Sequence, residues 1–508
     1  MMKPKFLITS LLVSSVIIGG CSASSSKSDE TMDHSKMTKE EMSNMEGMDH
    51  SNMSGNNMET MNGHESHTNP LTLNHSTGEN ELALPPLLEA NDGIFTITAQ
   101  QGTSEIFKGI NTETYGYNGS YLGPVIKINE GQKVTFKTNN QLSEPTTFHW
   151  HGVDIPGEGD GGPHHLLQPG DTKNVKFTVK QGASTLWFHP HPVGATAEQV
   201  YKGLAGLIYV EDEHSKKLGL PSEYGVNDFP LVFQDRKFDD NKQLNFKAAM
   251  NEDGTIGDTL LINGTVNPKL TVGKEKVRLR LLNGSNARNY TFKLNTGDSF
   301  QQIATDGGFV NKPISMNELS LTPGERAEII IDFSTYNVST DIALMNEEDT
   351  KLLSFNIVDK KSATSSNSPK NLNNFVVTDK ERKLPVSKKL ELFGMGKMVT
   401  INNKQFDMNR IDFTQKQGVT EIWEIYNKPD MMGGMTHPFH IHGTQFKILS
   451  IDGKEPPTNE YGWKDTVAID AGETVRLAVK FNNKGIYMFH CHILEHEENG
   501  MMGQVKVE

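Results

Sequence analysis

His490-Cys491-His492-Ile493-Leu494-Glu495-His496, followed closely by Met501, is the stretch on which the reading of this chain turns. In an extended strand successive side chains leave on opposite faces, so His490 and His492 point one way and Cys491 the other. One strand can therefore serve two metal centres back to back. Cys491, His496 and the weak thioether of Met501 are the ligand set of a copper electron-transfer site once one more histidine arrives from elsewhere. The two flanking histidines then need a second cluster of partners.

The distribution of histidine supplies candidates for both. Of the 18 histidines, ten fall in four clusters: His149-Trp150-His151-Gly152, His189-Pro190-His191, His437-Pro438-Phe439-His440-Ile441-His442-Gly443, and His490-Cys491-His492 with His496. Each contains a His-x-His pair, which a strand projects to one face. Four pairs give eight inward imidazoles, enough to hold three metal ions and leave positions open for a small ligand. Imidazole suits copper, and the neighbouring thiolate points the same way. Zinc fits some of these histidines but has no redox chemistry and leaves the bridge through Cys491 without a purpose.

Around the clusters lie short runs rich in Val, Ile, Thr and Phe, punctuated by Gly, Pro, Asn and Asp, which is an all-β pattern. One unit recurs three times, as a strand ending near an Asn, a long excursion and a Gly-acid turn. The copies are Lys133 to Asn139 with Pro169-Gly170-Asp171, Val277 to Asn283 with Pro323-Gly324-Glu325, and Thr420 to Asn427 with Ala471-Gly472-Glu473. Three copies of one β-sandwich account for this, over residues 81–213, 228–360 and 375–508, with linkers at 214–227 and 361–374. The second copy contains no histidine.

The N-terminus reads differently. Lys3 and Lys5 precede an apolar run over residues 6–18 that ends in Gly19-Gly20-Cys21. This resembles a bacterial lipoprotein signal over residues 1–20, with Cys21 as the lipidated residue and membrane anchor outside the cytoplasm. Only Cys21 and Cys491 exist, so the fold is expected to rest on its core and not on disulfides. Residues 21–80 are poor in large apolar side chains and are expected to be a disordered tether. Their content is unusual: Met32, Met37, Met42, Met45, Met48, Met53, Met58 and Met61 are interleaved with His34, His50, His64 and His67. Soft thioethers select Cu(I), so copper capture is expected of this tail. The net charge of −14 argues against a nucleic-acid partner.

The four clusters in this order resemble those of the multicopper oxidases, specifically the three-domain bacterial laccase-like and copper-efflux cuprous oxidases, from about Glu81 to the C-terminus. The resemblance implies three Greek-key cupredoxin domains and four copper ions. It implies a type 1 copper on His437, Cys491, His496 and Met501. A type 2 copper would take His149 and His440, and a type 3 pair His151, His189, His191, His442, His490 and His492. Electrons from a donor such as Cu(I), a phenol or Fe(II) would cross Cys491 to reduce dioxygen to water, with Asp160 and Glu497 relaying protons. The run Asp430-Met431-Met432-Gly433-Gly434-Met435 ahead of His437 stands where cuprous oxidases dock substrate Cu(I), through Met432 or Met435. The reading of a different class is a lipoprotein that buffers copper without turnover. A monomer is expected.

Overall fold

Lys133–Asn140 has the sequence KVTFKTNN, and its alternation is carried into space: Val134, Phe136 and Thr138 are buried while Lys133 and Lys137 face solvent. Period-two patterning of this kind fills two facing sheets in each sandwich. The computed structural model describes Leu71 and residues 78–508, apart from 252–253, 363–368 and 432. The expected signal, Cys21, the methionines and histidines named in the tail, and Met432 lie outside the described residues.

Three cupredoxin-like sandwiches follow one another, each with its own apolar core. The first pairs a four-stranded sheet, led by Ile94–Phe107, with a five-stranded one in which Ser184–His189 lies between Gly206–Glu211 and His149–His151. Two six-stranded sheets form the second, with Leu279, Leu281, Ile329 and Phe292 between them. In the third, Glu421–Lys428 and Thr474–Val479 face the sheet of Gly485–Cys491, His437–Ile441 and Met502–Val507.

The recurring Asn and Gly-acid turn now have a physical reason. Asn140 and Asn283 end their strands and Asn427 stands one residue before the end of Glu421–Lys428, and each backbone carbonyl accepts the N–H of the turn glycine, Gly170, Gly324 or Gly472, at 2.8–2.9 Å. Their side-chain amides donate to two backbone carbonyls each, stitching the excursion shut. In the first copy the stitching residue is Asn140, one position beyond the Asn139 at which the strand was expected to end. All three glycines have φ between +84° and +88°, a region L side chains avoid.

The N-terminal boundary also moves. Leu71 is buried in the core of the second sandwich, and Asn80–Glu81 pairs in parallel with Pro268–Gly273. The ordered body thus begins before residue 81, and its first residues belong to the second sandwich. Both linkers grip the body. Asp212 and Ser215 form a capping box on Glu213–Leu218, and the His214 ring donates to the Leu372 carbonyl at 2.7 Å. No helix among the described residues is long and apolar enough to cross a membrane.

Candidate metal centre

The strand Gly485–Cys491 runs antiparallel to His437–Ile441, with His440 opposite His490 and Phe439 opposite Cys491. Alternation then does what the sequence required. Cys491 turns into the core of the third sandwich, and the His490 ring turns outward toward the first. His492 stands one residue past the strand end and is held by its N–H donating to the Pro438 carbonyl at 2.6 Å. From the first sandwich, His149–His151 pairs with Ser184–His189 and brings His149 opposite His189. All ten clustered histidines are at most 1% exposed.

Two groupings result. At the outer one, Cys491 Sγ lies 3.5 Å from His437 Nδ1 and 3.7 Å from His496 Nδ1. Met501 is buried in the same core, and its backbone bonds to both neighbours, N–H to the His496 carbonyl and carbonyl to the Cys491 N–H. The inner grouping gathers the other eight histidines. His151, His189 and His492 bring ring nitrogens within 4.8 Å of one another, and so do His191, His442 and His490. His149 and His440 close it with His151.

The donor chemistry fits metal ions. His149, His189, His440 and His490 each place Nδ1 against a backbone carbonyl, at 2.7–3.1 Å, which turns Nε2 inward. The Nε2 atoms of His149, His189, His440 and His492 are buried with no hydrogen-bond partner among the described residues. His490 Nε2 meets His442 Nε2 at 3.0 Å and His191 Nε2 at 3.3 Å. Ring nitrogens this close, each tied down on its other side, are the arrangement that a shared cation at about 2 Å from each relieves. Burial lowers the imidazole pKa values, to about 3 for His189 and about 4 for His437 and His490, so their lone pairs are free at neutral pH. Burial also raises the Cys491 thiol, and a cation beside it is what makes the thiolate.

Both expected acids sit behind the inner histidines. His442 Nδ1 donates to Asp160 Oδ2 at 2.8 Å, and His149 Nδ1 donates to the Asp160 carbonyl at 3.1 Å. Glu497 lies on the short helix Leu494–Glu498, with Oε1 3.3 Å from His191 Nδ1 and Oε2 3.4 Å from His490 Nδ1. Desolvation lifts the Asp160 carboxyl to about 8 and raises Glu497 well above the usual carboxylate range, so each can hold a proton.

The expected substrate loop is less uniform. Asp430 stands in the loop that leads into His437 and offsets a little of the burial that lowers the pKa of that ring. Met431 is fully exposed, whereas Met435 is half-buried against the core of the third sandwich. Sequence reasoning missed three residues altogether. Asp465 meets His151 Nε2 at 2.9 Å, Arg326 forks onto Asp465, and Asp306 braces both. Two of the three come from the second sandwich, which carries no histidine. The signal was present: copies one and three have Thr172 and Thr474 after the turn acid, and copy two has Arg326.

Family profiles described as multicopper oxidase match residues 98–215, 230–354 and 363–508. The multicopper oxidase mco of Staphylococcus epidermidis is 50% identical over 446 residues, covering 87% of this chain and 95% of its own. A laccase from Pediococcus acidilactici is 43% identical with a TM-score of 0.81, over 86% of this chain and 95% of its own. A Campylobacter jejuni multicopper oxidase described as a metallo-oxidase is 31% identical with a TM-score of 0.73, over 86% of this chain and 98% of its own.

Proposed function

The chain belongs to the multicopper oxidase family, enzymes that oxidise a reducing substrate with dioxygen, and from that premise we propose that its donor is Cu(I) and its role copper detoxification. The observation that carries the oxidase reading is the pairing of Cys491 with His437 and His496 on one face of a strand whose neighbouring histidines join the inner grouping. Type 1 copper would be held at the outer site by His437, Cys491 and His496, with the Met501 thioether as a further ligand. His149 and His440 are read as type 2 ligands. The type 3 pair is read as His151, His189 and His492 on one ion and His191, His442 and His490 on the other.

Copper bound there supplies one-electron uptake at the outer site and four-electron reduction of dioxygen to water at the inner one. The chain's own residues do the rest. Peptide bonds join Cys491 to His490 and His492, so a covalent path links the two sites with no gap to cross. Burial excludes water from both and keeps the imidazoles neutral. Asp160 Oδ2 and the Glu497 carboxylate stand against Nδ1 atoms of His442, His191 and His490, positions from which a proton can be passed inward.

The choice of donor rests on Asp430 and on an exposed thioether, Met431, in the loop that leads into His437. Thioether sulfur selects a soft monovalent cation, and the carboxylate adds a charge attraction that a neutral phenol does not feel. The Met/His-rich stretch from Met32 to His67, tethered through lipid on Cys21, raises its local concentration outside the cytoplasm. Oxygen uptake by the copper-loaded chain is the test, with Cu(I), Fe(II) and a phenol compared at matched concentrations. Cu(I) is expected to give the highest kcat/KM; a phenol outrunning it would make the protein a laccase.

A further inference from the structure

Asp465 is not among the proposed copper ligands, yet it is tied to two of them, and any part it plays there rests on the inner histidines holding copper. Its carboxylate is fully buried. Oδ1 accepts from His151 Nε2 at 2.9 Å and from Arg326 Nη1 at 2.7 Å, and Oδ2 accepts from Arg326 Nη2 at 2.6 Å. The Asp465 carbonyl accepts from His440 Nδ1 at 2.7 Å. Behind the pair, Asp306 Oδ1 accepts the Arg326 N–H at 2.8 Å, and Asp306 Oδ2 takes the N–H groups of Asp465 and Thr466 at 3.3 Å each. All three sandwiches meet here: His151 from the first, Asp306 and Arg326 from the second, Asp465 and His440 from the third.

The consequence is a tautomer. A neutral imidazole carries one proton, so the nitrogen that donates fixes the nitrogen that can bind a metal. His149, His189, His440 and His490 donate through Nδ1 and turn Nε2 inward. His151 is reversed, for its Nε2 faces the carboxylate and its Nδ1 is buried with no partner among the described residues. Gly152 makes room for this. Its φ is +83°, and a Cβ there would collide with Asp465 Oδ2 and lie 2.9 Å from Arg326 Nη2. The final Gly of His149-Trp150-His151-Gly152 is therefore part of the device.

We infer that Asp465, clamped by Arg326 from the histidine-free second sandwich, is a positioning residue that selects Nδ1 of His151 as the metal-facing nitrogen. It thereby holds the His151 ring stacked on His440, 3.7 Å between centroids and 16° from parallel, so that ligands of adjacent ions stay in register. A carboxylate behind a ligating histidine orients the ring and raises its basicity, and loss of such a partner costs roughly 10–100-fold in metal affinity or activity. Arg326 keeps the buried charge paired; its planar fork matches the carboxylate in a way a lysine cannot.

The experiment uses the full copper-loaded chain and reads four quantities: blue absorbance of the outer site, inner copper retained against a chelator, the type 2 electron paramagnetic resonance signal, and kcat and KM for the donor. Wild type reports on the parent reading, because a wild-type chain that neither loads inner copper nor consumes oxygen refutes the oxidase. Asp465→Asn is isosteric, but its amide cannot serve both the His151 N–H and the guanidinium fork. It is expected to keep the blue band and KM while inner-copper affinity and kcat fall roughly 10–100-fold, with an altered type 2 signal. Arg326→Lys, which keeps the charge and loses the fork, is expected to fall between wild type and Asp465→Asn. Unchanged inner-copper retention in Asp465→Asn overturns the proposal. So does a loss of the blue band in step with inner copper in both variants, which assigns the pair to folding alone.

Discussion

The turn after Asn283 in the second sandwich and the turn after Asn427 in the third have the same backbone and opposite duties. Gly324 and Gly472 have φ of +84° and +87°, and they donate to the carbonyls of Asn283 and Asn427. A Cβ at Gly472 would meet nothing nearer than Pro429 Cγ at 3.6 Å, an ordinary contact. At Gly324 it would press into the His492 ring, with Cδ2 and Cγ at 2.8 Å. Two residues on, Arg326 reaches Asp465, where the third copy has Thr474. One repeat carries the proposed ligands; the other shares the turn, and its Arg326 and Gly324 lie against Asp465 and the His492 ring. Ligation and support are thus separable in this molecule, and substitutions should sort by which they touch.

The largest effect is expected where the third sandwich alone acts. Cys491→Ser removes the sulfur of the outer site and the start of the covalent path. It should abolish the blue absorbance and drop donor oxidation to background, while inner copper, counted by metal analysis, stays bound. A variant that still turns over would break the division between outer and inner sites. Next comes the first sandwich. Asp160→Asn keeps the volume and the acceptor facing His442 but removes the ionisable oxygen. Oxygen uptake should fall roughly 10²–10⁴-fold, with anaerobic reduction of the outer copper by the donor unaffected. Slowed anaerobic reduction would instead place Asp160 in the electron path.

Gly324→Ala and Gly472→Ala sharpen the comparison most directly. Each forces an L side chain to positive φ at about 1–3 kcal/mol, measurable as a lower Tm. Only Gly324→Ala should also loosen inner copper, because only there does the new methyl group meet a ligand ring. Equal copper retention in the two variants would deny the second sandwich its supporting part. The smallest effect is expected from Met431→Ala. This side chain is fully exposed and makes no core contact, so stability should be unchanged and KM for Cu(I) should rise a few-fold with KM for a phenol unmoved. Met435→Ala, half-buried against the core, should cost stability as well.

What was legible in the sequence was set by residue chemistry. Histidine and cysteine are scarce enough that four clusters stand out, and strand alternation alone sends Cys491 and His490 to different sites. The three-fold repeat could be read because its Asn and Gly are demanded by a backbone carbonyl and a positive φ. Asp465 and Asp306 were not legible in this way, and Arg326 showed only as the residue that stands where the other two copies have Thr172 and Thr474. Acidic and basic residues usually lie on surfaces, and only the meeting of three sandwiches takes these out of water. Leu71 was hidden for the opposite reason: Leu71-Thr72-Leu73 is too short an apolar run in a polar stretch to declare a strand, and the burial of Leu71 depends on a core built mostly from residues beyond 228. Glu497 was found through resemblance, and the helix that aims it at His191 and His490 has too few residues to declare itself in a pattern.

The central claim is that one strand couples a one-electron site to a four-electron site. Counting donor electrons consumed per dioxygen by the copper-loaded chain, with hydrogen peroxide assayed in the same vessel, tests it most directly. Four Cu(I) oxidised per dioxygen with no peroxide released is the predicted result. Two per dioxygen with stoichiometric peroxide, or no dioxygen consumed with any donor, would contradict it.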